Sequence, residues 1–207
     1  MPAEPAEPTR RRRRSVEDAR REILDAAERL LAERGPEAVR VQTVARAVGL
    51  TDAAVHYHFG NREGLLEALL RDVGRRMKAE LAEADDQVGL STLLDVLDEA
   101  YGAHGYARLT AWMRLAGWKP TGEGMFRPYA EALHRARTRR AEAAGTPPPP
   151  LDDTLHLVTL LNLVTWADAL TGTEWRRSVG LPATAEAGEA FRRWLLDRLE
   201  DRPERGH

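Results

Sequence analysis

Residues 41–60, VQTVARAVGLTDAAVHYHFG, decide the fold, because they pattern as two short helices joined by a tight turn. Ala45 is small where two helices must approach closely, and Gly49 permits the positive φ that such a turn requires. Thr51 is a typical N-cap for the second helix, and Val55 supplies its apolar anchor. This spacing is typical of a helix-turn-helix, in which the second helix enters the major groove of DNA.

His56 and His58 lie two residues apart in this stretch, a spacing that a metal site can use on a β-strand. On an α-helix, two residues turn the side-chain direction by about 200°, so the rings point apart. Since the turn and cap signals place both histidines on a helix, we expect neither a metal nor another cofactor here. The chain has no cysteine, which excludes disulfides and thiolate metal sites.

The composition of the 207-residue chain, 43% apolar and 31% charged, is typical of a soluble chain that forms a core. Its most apolar segment, residues 155–170, is short and contains His156, Asn162 and Asp168, which predicts a buried helix and no membrane partner. We find no secretory signal and expect a cytoplasmic protein. We also find no nucleophile elbow or paired carboxylates, so we do not expect an enzyme.

The net charge of −2 conceals an uneven distribution. Residues 1–14 contain five arginines in an unbroken block, Arg10–Arg14, and only two glutamates. We predict a disordered basic arm over residues 1–14 and a short tail over residues 203–207. Such an arm can be a solubilising tail, or it can neutralise phosphates or enter a minor groove, and composition does not separate the two.

Sequence signals for helix starts and ends occur on both sides of the motif. Ser15 and Asp18 resemble a capping box, and Gly35-Pro36 ends the apolar stripe that follows. Asn61 is a cap for a longer helix, and after the prolines of residues 147–150 either Asp152 or Asp153 is a start signal. The pattern predicts an all-α chain with further helices at about 90–102, 105–118, 124–144, 151–171 and 184–199.

Residues 21–70 closely resemble the N-terminal domain of TetR-family transcriptional regulators. The matching motifs are LAERG at 31–35, VARAVGLT at 44–51, and YHF followed by Arg-Glu-x-Leu at 57–65. Beyond residue 90 the resemblance is architectural only. It implies a three-helix, helix-turn-helix DNA-binding domain over residues 15–60. A larger helical domain over residues 61–202 would bind a ligand and form a homodimer through its last two helices.

The chain departs from the family at His56, where tyrosine is usual, at Arg40, where Ser or Thr is usual, and at Arg62, where Lys is common. All three replacements retain hydrogen-bond donors, so contact with phosphates is still expected. The residues expected to face bases are Thr51, Asp52, Ala53, Ala54 and Tyr57. The residues expected to contact phosphates are Arg40, Gln42, Thr43, His56, His58 and Arg62.

The helix over residues 151–171 carries apolar side chains nearly all round, so it needs a partner on each side. The amphipathic helix after it supplies one, and two such helices from each of two protomers would build a four-helix, two-fold interface. Ordinary core packing within a monomer is the alternative. The expected interface residues are Leu157, Leu161, Val164, Phe191, Trp194 and Leu195.

Leu155, Thr159, Asn162 and Trp166 share one face of this helix, which is unusually polar and could border a ligand cavity. Ordinary core packing is again the alternative. The candidate pocket residues are Trp112, Met113, Trp118, Phe126, Tyr129, Thr159, Asn162 and Trp166.

These features together favour a homodimeric repressor that leaves a palindromic operator in double-stranded DNA when an unknown small-molecule effector binds. A helical adaptor that binds nucleic acid without an effector is one alternative, and a transcriptional activator is another.

Overall fold

The computed structural model of the protein describes residues 15–83, 88–119 and 124–200. Within these ranges the chain forms nine α-helices and no strand, so the all-α prediction is confirmed. The predicted basic arm at residues 1–14 and the tail at residues 203–207 lie outside the described residues.

The first three helices are α1 (Val16–Arg34), α2 (Val41–Val48) and α3 (Asp52–Phe59), with a 3-10 turn at Pro36–Ala38 between α1 and α2. The Asp18 backbone N–H donates to the Ser15 hydroxyl at 3.0 Å, and the Asp18 carboxylate accepts from the Ser15 N–H. The predicted capping box is therefore present at the start of α1.

The remaining helices are longer and form most of the molecule. They are α4 (Arg62–Glu83), α5 (Leu90–Asp98), α6 (Tyr106–Leu115), α7 (Arg127–Ala144), α8 (Leu151–Ser178) and α9 (Ala185–Glu200), and a π-helical turn at Glu99–Ala103 follows α5. Asn61 caps α4 as predicted, because its side-chain oxygen accepts from the Gly64 N–H at 2.8 Å. No helix among these is both long and apolar enough to cross a membrane.

Helix α8 differs from its prediction at both ends. Pro150 occupies the N-cap position without a side-chain cap, so neither Asp152 nor Asp153 caps the helix. Asp153 instead forms an ion pair with Arg137 of α7 at 2.7 Å. The helix also continues to Ser178, beyond the predicted end at residue 171. Gly172, one residue beyond the predicted end, is buried and lies inside the helix.

One continuous apolar core joins the helices from Ile23 in α1 to Leu195 in α9. Leu65 and Leu69 of α4 are buried in this same core, and α4 packs against α1 and α3. Because α4 belongs to both parts, the packing does not itself mark a division at residue 60, and the proposed domain boundary stays a prediction.

A polar junction on Glu28 ties α1 to the helices that follow it. The Glu28 carboxylate accepts from Arg76 of α4 at 2.5 Å and from the Tyr106 hydroxyl of α6 at 3.0 Å, and it lies 3.3 Å from His104 Nδ1. Burial, and then the Glu28 charge, raise the pKa of Tyr106, which keeps its hydroxyl a donor. Arg108 of α6 also donates to the Ala32 carbonyl at 2.7 Å.

Candidate nucleic-acid interface

The turn between α2 and α3 has the geometry that the sequence predicts. Gly49 adopts a left-handed conformation with φ 64° and ψ 34°, which residues with a Cβ rarely tolerate. Its backbone N–H donates to the Ala45 and Arg46 carbonyls at the end of α2. The Thr51 hydroxyl accepts from the Ala54 N–H at 3.2 Å and so caps α3. Ala45 and Val55 are both buried where α2 and α3 meet.

Helix α3 is anchored by the buried Val55 and by Phe59 at its end, which packs partly buried against the core and lies 4.6 Å from the guanidinium carbon of Arg20. Val55 is its only fully buried residue, whereas 78% of the surface of Tyr57 is exposed. Asp52 and Ala53 are exposed on the leading turn, as is Thr51 just before it, and Ala54 is half-buried. The five residues predicted to face bases therefore lie together at an accessible helix start, although their contact with bases stays a prediction.

The residues around the start of α2 are also accessible. Arg40 is exposed at the N-cap position, where its side chain makes no cap and its Nε donates to the Glu37 carbonyl at 3.2 Å. Gln42 is exposed and Thr43 is half-buried on the first turn of α2. These three remain candidate phosphate contacts, because backbone amides and side-chain donors near a helix start suit phosphate.

The two histidines point to different surroundings, as expected on a helix. His56 is exposed, and its Nδ1 lies 2.6 Å from the Gly60 carbonyl oxygen. Because a carbonyl can only accept, Nδ1 carries the proton in this contact, and Nε2 is the nitrogen that can meet DNA. His58 is half-buried and packs edge-on against Tyr57, with ring centroids 5.3 Å apart. The described residues contain no group of three or more His, Asp and Glu side chains close enough to hold a metal ion.

Arg62 is placed differently from its prediction as a phosphate contact. It is the first residue of α4, and its Nε donates to the Val39 carbonyl at 2.7 Å while one terminal nitrogen donates to the Pro36 carbonyl at 2.6 Å. Its guanidinium carbon lies 4.6 Å from the ring centroid of Trp112 in α6. The guanidinium is thus engaged inside the protein, because the start of α4 folds back beneath the loop that leads into α2.

The candidate pocket residues divide between the core and the surface. Met113 and Tyr129 are buried, and the Tyr129 hydroxyl donates to the Gly89 carbonyl at 2.7 Å. Thr159 is exposed, and its hydroxyl donates to the Leu155 carbonyl of its own helix at 2.8 Å. Trp118 and Phe126 are half-buried against the core. The structure therefore removes Thr159 from the candidate set, since its side chain faces outward.

Asn162 and Trp166 are the candidates whose polar atoms are paired across helices. The Trp166 indole N–H donates to the Thr110 hydroxyl of α6 at 2.8 Å. The Tyr101 hydroxyl donates to Asn162 Oδ1 at 3.2 Å, and burial raises the pKa of Tyr101 to about 12. Sequence reasoning missed Thr110 and Tyr101, because their partners lie more than fifty residues away and no local pattern marks them.

The interface prediction needs correction in its residues. Leu157, Leu161 and Leu195 are buried inside the protomer, so their side chains are not available to a partner. Val164 and Phe191 are half-buried, and 52% of Trp194 is exposed. Other apolar residues of α8 are exposed instead. Leu160, Leu163 and Ala167 lie together on the face opposite the buried leucines, and Trp175 is exposed nearer the C-terminal end of the helix.

Comparison with known proteins supports the assignment of the N-terminal region. Residues 23–69 match the family model of bacterial regulatory proteins of the tetR family. The HTH-type transcriptional regulator BetI of Brucella canis is 29% identical over 146 residues, which cover 61% of this chain and 74% of that protein. The HTH-type transcriptional repressor AcnR of Corynebacterium glutamicum is 38% identical over 66 residues, covering 32% of this chain and 35% of AcnR.

Solved structures share the fold over nearly the whole chain. A transcriptional regulator from Saccharomonospora viridis, solved in complex with choline, superposes with a TM-score of 0.60 at 23% sequence identity, covering 89% of this chain and 97% of that one. The geometry of α2 and α3 and these likenesses define a helix-turn-helix transcriptional regulator. More particularly, residues 23–69 carry the N-terminal domain of the tetR family of bacterial regulatory proteins.

Proposed function

We propose that this regulator is a homodimeric repressor that reads a palindromic operator with α3 and releases it when a small organic effector binds among α6, α8 and the π-helical turn. The observation that carries the proposal is that Val55 is the only fully buried residue of α3, while Tyr57 is largely exposed. A helix held in this way can enter a major groove without exposing core side chains.

Thr51 and Tyr57 are the base-facing residues with the greatest capacity to discriminate. Ala53 and Ala54 can only contact a thymine methyl group, whereas a hydroxyl or a phenol can also form hydrogen bonds with base edges. Asp52 can accept from a cytosine amine, or its charge can favour the N-terminus of α3. Preference at two or three base pairs should therefore depend on Thr51 and Tyr57.

Selection of duplexes from a random-sequence pool, followed by sequencing, tests this reading. Tyr57→Phe removes the phenol hydroxyl but keeps the ring, and Thr51→Asn removes the hydroxyl but keeps a side chain that caps α3, so a change in preferred sequence reflects changed contacts rather than unfolding. Thr171→Ser is the matched control, since Thr171 is exposed on α8 and its hydroxyl bonds to its own helix. Identical preferred sequences from the wild type and from both α3 variants would refute the assignment of α3 as the reader.

The outward face of α8 supports the homodimer. Leu160, Leu163 and Ala167 are exposed at helical spacings of three and four residues, and 62% of the surface of Leu163 is exposed. Trp194 of α9 is also exposed and stacks on Phe191, with ring centroids 6.0 Å apart. A second copy related by a two-fold axis would cover this face, and it would place two α3 helices on half-sites about 34–36 Å apart.

The polar groups between α6 and α8 support the effector site. Asn162 and Trp166 face Tyr101 and Thr110 there, and the buried Thr165 hydroxyl has no hydrogen-bond partner in the described structure. A buried hydroxyl without a partner is costly, and a ligand could satisfy it. Indole and phenol rings also bind organic cations through their faces.

Choline is the bound molecule in the Saccharomonospora viridis structure, so small quaternary and primary amines are the first effectors to test. Each is added to the protein on its selected duplex, and release is followed by fluorescence anisotropy. Trp166→Phe, which loses the indole N–H, should shift the concentration that releases DNA. If no amine in the series releases DNA or changes the melting temperature, the proposed effector class is wrong.

A further inference from the structure

Arg62 occupies a position from which it contacts three separate parts of the fold. Its own backbone begins α4, directly after α3 and its turn. Its Nε and one terminal nitrogen donate to the Val39 and Pro36 carbonyls, at 2.7 and 2.6 Å, in the segment that leads into α2. A planar guanidinium has donors in a fixed fork, so two such bonds fix its orientation.

The third contact of Arg62 reaches α6. The guanidinium lies over the Trp112 ring at 4.6 Å, which is within the range of a cation–π interaction. Trp112 is only half-exposed, so the contact is partly shielded from water and stronger than one at a fully exposed site. Helix α6 is in turn bonded to α8 through Thr110 and Trp166 at 2.8 Å.

From these contacts we infer that Arg62 is a positioning residue rather than a phosphate ligand, and that its stacking on Trp112 couples the conformation of α6 to the placement of the DNA reader. The inference rests on the proposed DNA-reading function of α3. A shift of α6 that moves Trp112 removes one support of the guanidinium, and the loop held by its other two bonds leads directly into α2. The orientation of the α2–α3 pair relative to the rest of the protein then changes.

The salt dependence of DNA binding separates the two roles of Arg62. Each phosphate contact contributes about 0.9 to the slope of log affinity against log salt concentration. Arg62→Met should weaken binding to the selected duplex about three- to tenfold while leaving this slope unchanged. Arg62→Lys keeps the charge but not the fork, so it should lose about as much affinity as Arg62→Met. Arg40→Gln is the comparison. Because Arg40 is an exposed candidate phosphate contact, the salt slope of this variant should fall by about 0.9 per protomer.

Variants of Trp112 test the coupling independently. Trp112 lies on α6 and is not one of the proposed DNA-contacting residues on α2 and α3. Trp112→Leu should weaken DNA binding about three- to tenfold, whereas Trp112→Phe, which retains an aromatic face, should weaken it less. The double variant Arg62→Met/Trp112→Leu should lose much less than the product of the single losses, because both remove the same contact. Should Arg62→Met fail to fold, the Trp112→Leu and Trp112→Phe pair still tests the coupling.

Several results would overturn the inference. A slope that falls by about 0.9 per protomer in Arg62→Met, together with full affinity in Arg62→Lys, would make Arg62 a phosphate ligand. Fully multiplicative losses in the double variant would show that the two residues act separately. Failure of the wild-type protein to select any duplex would instead refute the DNA-reading proposal, so the two failures are distinguishable.

Discussion

Replacement of Leu163 by glutamate tests the proposed dimer at the centre of the exposed face of α8. In the isolated protomer 62% of the surface of Leu163 is exposed, so this area is available to a partner. Full burial of a leucine side chain contributes about 1.5–3 kcal/mol, so burial of the exposed part contributes about 1–2 kcal/mol. A two-fold interface contains the residue twice, which makes the loss about 2–4 kcal/mol.

This free energy corresponds to a dimer dissociation constant that is about 30- to 700-fold higher in Leu163→Glu. Sedimentation velocity over a concentration series measures the constant directly. The control is Leu115→Glu at the end of α6, where 91% of the leucine is exposed. Replacing this leucine should not change the dimer dissociation constant. DNA affinity should fall with the dimer, because a monomer reads only one half-site.

Three results would refute the reasoning. An unchanged dissociation constant in Leu163→Glu would mean that the dimer, if it forms, uses another surface. A wild-type protein that sediments as a monomer at every concentration would mean that this face has no second copy of the chain as its partner. An equal effect of Leu115→Glu would show that added charge, and not loss of apolar contact, is responsible.

Three further predictions concern stability. Gly172→Ala should lower the free energy of unfolding by about 1–2 kcal/mol in urea titrations, because its Cβ would displace the side-chain ends of the largely buried Asp168–Arg176 ion pair of α8 and weaken their hydrogen bond. Gly102→Ala is its control, since a Cβ there meets nothing closer than Asp98 at 3.8 Å, and equal losses in both variants would contradict the explanation. Gly49→Ala should cost only about 1 kcal/mol, because a Cβ there has open space and the cost is the left-handed backbone with φ 64°; a neutral result would mean that the turn relaxes. For Tyr101, burial raises the pKa from its ordinary value of 10.0 to about 12, so the folded state favours the neutral phenol. The resulting stability is complete below pH 10 and is lost as the pH rises through about 12, so stability between these values should fall less steeply in Tyr101→Phe than in the wild type. Parallel stability curves for the two proteins over this range would show that Tyr101 does not contribute.

Local signals predicted the turn between α2 and α3 well, because the groups that define it are close in sequence. The Ser15 cap, the left-handed Gly49 and the Thr51 cap each act over four residues or fewer, and each appears where the sequence indicates it. The end of α8 was predicted less well. Its continuation beyond residue 171 depends on the Asp168–Arg176 pair and on burial of Gly172, neither of which helix propensity describes.

The sequence by itself determined an all-α chain and a helix-turn-helix at residues 41–60, since helical periodicity, caps and a turn glycine are short-range properties. Only the tertiary structure decided which polar side chains are free for a ligand or for DNA. Arg62 is bonded to Val39 and Pro36 more than twenty residues away, and Trp166 to Thr110 across 56 residues. The tertiary structure also decided which leucines of α8 face outward, because its two faces are similarly apolar in sequence and only packing against α5 and α7 distinguishes them.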